Sequence, residues 1–323
     1  MDTLTEVLDN IRSSGALIDQ NLLSPPWAIR QEGGASITVV AMLRGEAWIR
    51  RDGDDPLRLG TRDLAILTGP GPTLLTSDPT GWIPTTCVLT AEGACLQETG
   101  ERLSDADVGL GRVTDAAPLE TEHVLLAGSF PTSGRIAGRL LDALPPVLVV
   151  PRAQQRSRAL GLLESELENR EPGQQAVLDR LLDLVLIGAL RDWFALPDTA
   201  VPAWYGAAGD PVVGPALGAL HADPARPWTV EALARRAQVS RATFARRFAE
   251  VMGEPPISYL AGWRLCLAAD LLQEREDTME SIARQVGYSS AFALSAAFTR
   301  EYGVRPSRYR VQSRRPAVAE IAE

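Results

Sequence analysis

The sequence predicts an α+β protein: an N-terminal antiparallel β-barrel of jelly-roll type followed by helices, then an all-α C-terminal domain containing two helix-turn-helix units. Three observations carry this reading. Residues 27–97 break into short apolar segments punctuated by turn residues, the apolar period lengthens from two to nearly four beyond residue 130, and the last third of the chain repeats itself at a spacing of 49 to 50 residues.

The strand segments come first. Ser36–Leu43, Ala47–Arg51, Leu57–Leu59, Leu64–Leu67, Thr73–Thr76, Thr85–Thr90 and Ala94–Gln97 are separated by Gly45, Asp52-Gly53-Asp54, Gly69-Pro70-Gly71-Pro72 and Ala91-Glu92-Gly93. Glycine, proline and aspartate at those points supply turn conformations, so short, regularly punctuated strands predict a small barrel or jelly roll.

Three helical stripes follow: Ile136, Leu140, Leu141 and Leu144, ending at Pro145-Pro146; Leu160, Leu163 and Leu167; and Val177, Leu181, Leu184 and Val185. Such stripes pack within one chain or against a second copy. The small, proline-punctuated stretch 199–211 reads as a linker. This divides the chain into an N-terminal domain over 1–198, a linker over 199–211, a helical domain over 212–311 and a tail over 312–323.

Within the helical domain, at an offset of 49, Leu233-Ala234-Arg235 falls on Ile282-Ala283-Arg284. At an offset of 50, Phe244, Phe248, Gly253, Pro256 and Tyr259 fall on Leu294, Phe298, Gly303, Pro306 and Tyr309. The one-residue slip lies in the turn between the two helices of each repeat, and is longer in the second. Thr229 and Thr278 are placed to cap the first helices, each followed by a first-turn glutamate. Ser240 is placed to cap the second helix of the first repeat, and Ser289 or Ser290 that of the second. Leu260, Trp263, Leu267 and Leu271 make a connecting helix between them. An ordinary helical bundle explains the stripes but not the repeat.

Composition narrows the chemistry. The chain has 323 residues, 45% hydrophobic and 23% charged, with a net charge of -9. That is globular composition and enough length for a core in each of about two domains. All 32 basic residues are arginine, so a lysine-dependent phosphate loop is excluded. Two histidines, His123 and His221, exclude a multi-histidine metal site within one chain, and no GxSxG accompanies either. No enzyme, metal or cofactor is expected. The acidic opening lacks the pattern of a signal peptide, and no apolar run approaches membrane-spanning length, so the cytoplasm is the expected location. Residues 1–222 carry 17 arginines against 29 acids, whereas 223–315 carry 15 against 10. A basic C-terminal domain on an acidic body suits a polyanionic partner at one end.

The stretches Leu233-Ala-Arg-Arg-Ala-Gln-Val-Ser-Arg-Ala-Thr-Phe-Ala-Arg-Arg-Phe248 and Ile282-Ala-Arg-Gln-Val-Gly-Tyr-Ser-Ser-Ala-Phe-Ala-Leu-Ser-Ala-Ala-Phe298, closing with Gly303-Val-Arg-Pro-Ser-Arg-Tyr-Arg310, resemble the signature of the AraC/XylS family of transcriptional regulators. Leu43-Arg44-Gly45, Trp48, Asp63-Leu64 and Leu141-Asp-Ala-Leu-Pro-Pro146 resemble the cupin-type regulatory domain of one subgroup. The resemblance implies a sequence-specific binder of double-stranded DNA, a homodimer through the N-terminal region, a small-molecule effector sensed there, and RNA polymerase as a partner if it activates. The cupin positions that usually hold metal-binding histidines, near Thr38–Val40 and Pro72-Thr73, hold none here, leaving an organic effector or no ligand. Trp27, Thr38, Val40, Trp48 and Thr73 are the effector-binding candidates.

Helical geometry then assigns the DNA face. With Phe244 and Phe248 inward, Ala242, Ala245, Arg246 and Ala249 point outward. Arg246 is the base-reading candidate, because a guanidinium donates two hydrogen bonds to guanine. Ala242 and Ala245 suit thymine methyls, Ser240 and Thr243 lie at the helix start, and Arg241 and Arg247 suit phosphates, Arg247 equally a surface ion pair. With Leu294 and Phe298 inward, the second helix presents Ala291, Phe292, Ser295, Ala296 and Thr299, after Ser289 and Ser290. Arginine is frequent in the family where Ala296 stands, so this helix is expected to read few base edges. Arg300, Arg308 and Arg310 are its phosphate candidates.

Cys87 and Cys95 flank a turn and admit a redox switch, although no basic neighbour in sequence activates either thiol and packing is the simpler role. Cys266 is expected in the core, His123 in a structural role, and His221 as a cap. The rival functions are a redox-gated or ligand-independent regulator, and, further off, a cupin-type enzyme or a protein-interaction module fused to a helical domain.

Overall fold

The computed structural model describes residues 18–32, 36–69, 71–80, 83–89, 95–96, 122–131, 134–167, 169, 171–197, 199 and 201–313. The Ala91–Gly93 turn, most of the tail and the chain's opening lie outside these. Contacts divide the described chain into a sheet domain (18–132 with 141–200) and a helical domain (134–140 with 201–313).

The sheet domain contains β1 (Ile18–Leu23), β2 (Ala28–Gln31), β3 (Ser36–Arg44), β4 (Ala47–Arg50), β5 (Leu57–Leu59), β6 (Leu64–Leu67), β7 (Thr73–Thr76), β8 (Cys87–Leu89), β9 (Cys95–Leu96), β10 (His123–Pro131) and β11 (Val147–Val150). They form two sheets, ordered β1-β10-β3-β6-β11 and β5-β4-β7-β2-β8-β9. All described pairings are antiparallel except β2 with β8. Among the described residues the strands thus make two sheets, and no closed barrel is seen. Val40, Met42, Ala65 and Leu67 of one sheet and Trp27, Ile29, Ile49 and Leu75 of the other share one apolar core. β4 buries one face in this core and leaves the other half-exposed, whereas β3 and β6 are buried on both faces.

Two helices, α2 (Ala159–Leu167) and α3 (Gln174–Trp193), complete this domain. Arg62, between β5 and β6, reaches Glu164 of α2 at 2.7 Å. Asp192, buried near the end of α3, accepts the backbone N–H and the guanidinium of Arg156. The α3 stripe read from sequence is out of phase by one residue. Leu178, Leu182, Val185, Leu186 and Ala189 are buried, while Val177 and Leu184 are exposed.

The helical domain takes in α1 (Arg135–Leu141), although that helix lies between β10 and β11 in sequence. Asp270 supplies the acceptors its first turn lacks: Oδ1 accepts Arg135 N–H at 2.5 Å and Oδ2 accepts Ile136 N–H at 3.2 Å. The approach demands glycine before it. Gly134 has φ of 94°, and a Cβ there would lie 2.7 Å from Asp270 Oδ1. Arg135 then lies 4.8 Å from the Tyr302 ring centroid, and Arg139 lies 5.3 Å from that of Tyr259.

The remaining helices are α4 (Ala203–Gly206), α5 (Gly214–Ala222), α6 (Val230–Arg236), α7 (Arg241–Met252), α8 (Pro256–Glu274), α9 (Met279–Val286), α10 (Ala291–Tyr302) and α11 (Pro306–Ser313). Much of the stretch read as a linker, 199–211, is therefore structured. Residues 203–209 form helical turns, and Ala207 is buried in the domain core with Val213 and Leu217.

Candidate nucleic-acid interface

The repeat seen in sequence is a repeat in space. Thr229 and Thr278 cap α6 and α9, accepting from Ala232 N–H and Ser281 N–H. Ser240 and Ser290 cap α7 and α10, accepting from Thr243 N–H and Ala293 N–H. Of the two serines offered for the second cap, Ser290 makes the bond. Both α7 and α10 end on a left-handed glycine, Gly253 and Gly303.

The turns resolve the one-residue slip. Each first helix closes on a left-handed residue, Gln238 in one repeat and Gly287 in the other. The next N–H returns to the helix, Val239 to Ala234 O and Tyr288 to Ala283 O. Between that residue and the cap stands Val239 alone in the first repeat, but Tyr288 and Ser289 in the second.

Each reading helix buries one face in its own core. Phe244 and Phe248 lie with Leu233, Trp228 and Tyr259, and Leu294 and Phe298 lie with Ile282, Val286 and Leu272. The connecting helix α8 belongs to both clusters, so it fixes one repeat against the other. Arg264 of α8 donates to Pro224 O and Arg226 O, and a Cβ on Gly287 would meet Ala225 O at 2.6 Å.

The opposite faces carry the predicted residues. In the first repeat Ser240, Arg241, Ala242, Thr243, Arg246 and Arg247 are exposed and Ala245 is half-buried. In the second, Ser289, Phe292, Ala296 and Arg300 are exposed, and Ser290, Ala291, Ser295 and Thr299 are half-buried.

Their present partners differentiate the arginines. Arg246 pairs with Glu250 at 2.7 Å, both well exposed, and such a surface pair is worth less than about 1 kcal/mol, so it is readily exchanged. Arg241 lies 3.8 Å from Glu231, also exposed. Arg247 is committed elsewhere, on the ion-pair side of the two readings offered for it: it binds Asp210, which is nearly buried, at 2.6 Å. Burial pushes the Asp210 carboxyl up, but the Val213 and Val212 N–H groups and Arg247 outweigh it and hold the carboxyl below its ordinary range. Arg310 donates to Asp277 O at 2.6 Å, a structural bond where the sequence suggested phosphate contact.

Two matches to family models cover most of the chain: "Cupin" over residues 2–195 and "Helix-turn-helix domain" over residues 233–312. An AraC-like transcription regulator of Streptomyces lividans is 35% identical over 96% of this chain and 98% of its own length. The chain belongs to the AraC-like transcription regulators. The HTH-type transcriptional regulator AlkR of Acinetobacter baylyi is 37% identical over 54% of this AraC-like chain and 58% of its own. The DNA-binding domain of AdpA, solved in complex with a target DNA, is 34% identical over 34% of this chain and 99% of that one, with a TM-score of 0.31.

In the sheet domain of this AraC-like regulator four of the five effector candidates are buried. Trp27 is buried and donates its indole N–H to His123 Nδ1 at 3.1 Å, which gives His123 a structural partner. Thr38 is buried between Gln31 and Ser129, Val40 is in the inter-sheet core, Thr73 is buried and Trp48 half-buried. A cleft of about 670 Å³ lies instead beside β5 and β11, lined by Leu57, Leu144, Val147, Val149, Trp193 and Leu196 among others. Composition gave no signal for it, because its walls come from separate segments of the chain, from Leu57 to Thr199.

Cys87 is buried and disulfide-bonded, not the simple packed thiol expected; the side chain of Cys95 lies outside the described residues. Cys266 is a buried free thiol, and burial raises its pKa. His221 is not a cap. It sits inside α5, its Nε2 2.7 Å from Tyr259 OH and its ring stacked 4.2 Å from Trp263. Among the described residues no helix is long and apolar enough to cross a membrane, and no group of three potential ligand side chains is placed to hold a metal.

Proposed function

We propose that this regulator binds double-stranded DNA sequence-specifically, laying α7 and α10 into successive major grooves. The observation that carries the proposal is the duplicated pair of capped helices, each with one face in its own core, the two cores joined by α8, and the other face outward. Ser240, Arg241, Ala242, Thr243, Ala245 and Arg246 form the first contact surface, with Arg246 on guanine O6 and N7. Ser289, Ser290, Ala291, Phe292, Ser295, Ala296, Thr299 and Arg300 form the second. Arg247 contributes by holding Asp210, and so the start of α5, against α7. The test is affinity of the full chain for a duplex it selects from random sequence, measured against salt. With about 6–10 phosphates contacted, log affinity falls with log salt at a slope of roughly -5 to -9. A flat response overturns the proposal.

The sheet domain senses the signal and forms the homodimer. Leu162 of α2 and Val177 and Leu184 of α3 are 57%, 44% and 51% exposed, an apolar surface suited to a second copy. The cleft beside β11 suits an apolar organic effector. Sedimentation of Leu184→Glu as a dimer of unchanged affinity would remove α3 from the interface.

A further inference from the structure

The repeat aligns the outward faces of α7 and α10 residue by residue. At the offset of 50, Ala242 and Arg246 fall on Phe292 and Ala296. All four are exposed, and in each helix the pair is one turn apart. The two stripes therefore offer opposite chemistry at matching places: a methyl then a guanidinium in α7, an aromatic ring then a methyl in α10.

Phe292 is conspicuous among its own kind. The chain has six phenylalanines; five are buried, and Phe292 is 85% exposed. Along the helix its neighbours are uncharged, because no ionisable carboxylate or guanidinium occurs from Ser289 to Thr299; across the turn the Glu280 carboxylate accepts the Ala291 N–H at 3.3 Å. Arg300 closes the stripe at its far end. A surface of this kind has hydroxyl donors but no charged one for a phosphate or for guanine, so charge complementarity directs the backbone contact to Arg300 and leaves the ring an apolar partner.

The major groove presents one such partner. Of the four bases, thymine alone carries a methyl group there. We propose that Phe292, with Ala296 beside it, reads thymine through its 5-methyl group. This rests on the DNA-binding reading above and adds to it a composition for the site. The half contacted by α10 contains thymine at the position under Phe292, the half contacted by α7 contains guanine under Arg246, and the two halves are not copies of one motif although the two repeats are.

The test uses a duplex selected from random sequence by the full-length chain, remade with deoxyuridine in place of thymine one position at a time. Deoxyuridine lacks only the methyl. The expected result for the wild-type chain is a loss of about three- to fivefold at one or two positions, all within one half of the footprint. Phe292→Ala is expected to bind the thymine duplex about as weakly as the wild type binds the uridine duplex, and not to distinguish the two. Circular dichroism verifies that the exposed substitution keeps the helix content. Equal sensitivity of wild type and Phe292→Ala to uridine, or insensitivity of both, overturns the proposal while the DNA-binding reading stands. Selection of no duplex at all overturns it together with the reading on which it rests.

Discussion

The two helix-turn-helix repeats share a frame and differ in what they display. Threonine and serine caps, inward aromatic or leucine residues, terminal glycines and the following prolines recur in register. The outward residues do not: Arg246 stands opposite Ala296, and Ala242 opposite Phe292. Groups that hold backbone and core answer to folding and are interchangeable between copies. Groups facing outward are free of that constraint, so they can diverge toward different partners without cost to the frame.

If the frames are equivalent, equal damage has equal consequences. Phe248→Ala and Phe298→Ala each remove a fully buried ring, and each is expected to cost about 3–5 kcal/mol, read by denaturant unfolding followed by circular dichroism. A difference between them larger than about 2 kcal/mol breaks the equivalence.

Asp270 sharpens the comparison, because it places a buried carboxylate beside the second core that no arginine side chain pairs at ion-pair distance among the described residues, whereas the nearly buried Asp210 beside the first is bound by Arg247. Burial raises its pKa to about 6, against the opposing Arg135 and Ile136 N–H bonds and with the help of Glu274. A raised carboxylate pKa means that the folded state binds the proton more tightly than the unfolded one. Its contribution is therefore most favourable below the unfolded value of 3.8 and is lost as pH rises toward 6. Unfolding midpoints measured across that window should decline more steeply with pH for the wild type than for Asp270→Asn.

The displayed faces should respond unequally. Arg246→Ala is expected to reduce preference for the selected duplex over random DNA by roughly 10- to 100-fold, the worth of a bidentate guanine contact. Ala296→Arg, which copies the first repeat's chemistry into the second, is expected to strengthen binding to both and to steepen the salt slope by about one. Competition assays at two salt concentrations separate these outcomes. Smallest of all, Ser240→Ala and Ser290→Ala should each cost about 1 kcal/mol of stability and resemble one another.

Much of the helical domain was legible in the sequence because its signals are local. A cap lies three residues from the N–H it accepts, and a terminal glycine lies next to the helix it ends. The slip was placed correctly for the same reason. The sheet domain was less legible. Five strands from β3 to β7 were read to within a residue, but β1, β2, β10 and β11 were not among the segments read. Their partners lie far off in sequence, as β1 with β10 and β11 with β6. The α3 stripe was misplaced because Val177 and Leu184 are apolar yet exposed, and periodicity alone does not say which apolar residue meets the core. The cleft beside β11 had no sequence signal.

By itself, the sequence determined the double repeat, its caps, the inward and outward faces of its helices and the arginine-rich bias of that domain, since each depends on residues within a turn or two of one another. Only the tertiary structure decided that α1 joins the helical domain. That outcome rests on two N–H groups meeting Asp270 across more than a hundred residues. Only the tertiary structure, too, decided that Arg247 is held by Asp210 while Arg246 keeps a weak, exposed partner. Both are arginines on one helix, adjacent in sequence, and what distinguishes them is the burial of the carboxylate each one meets.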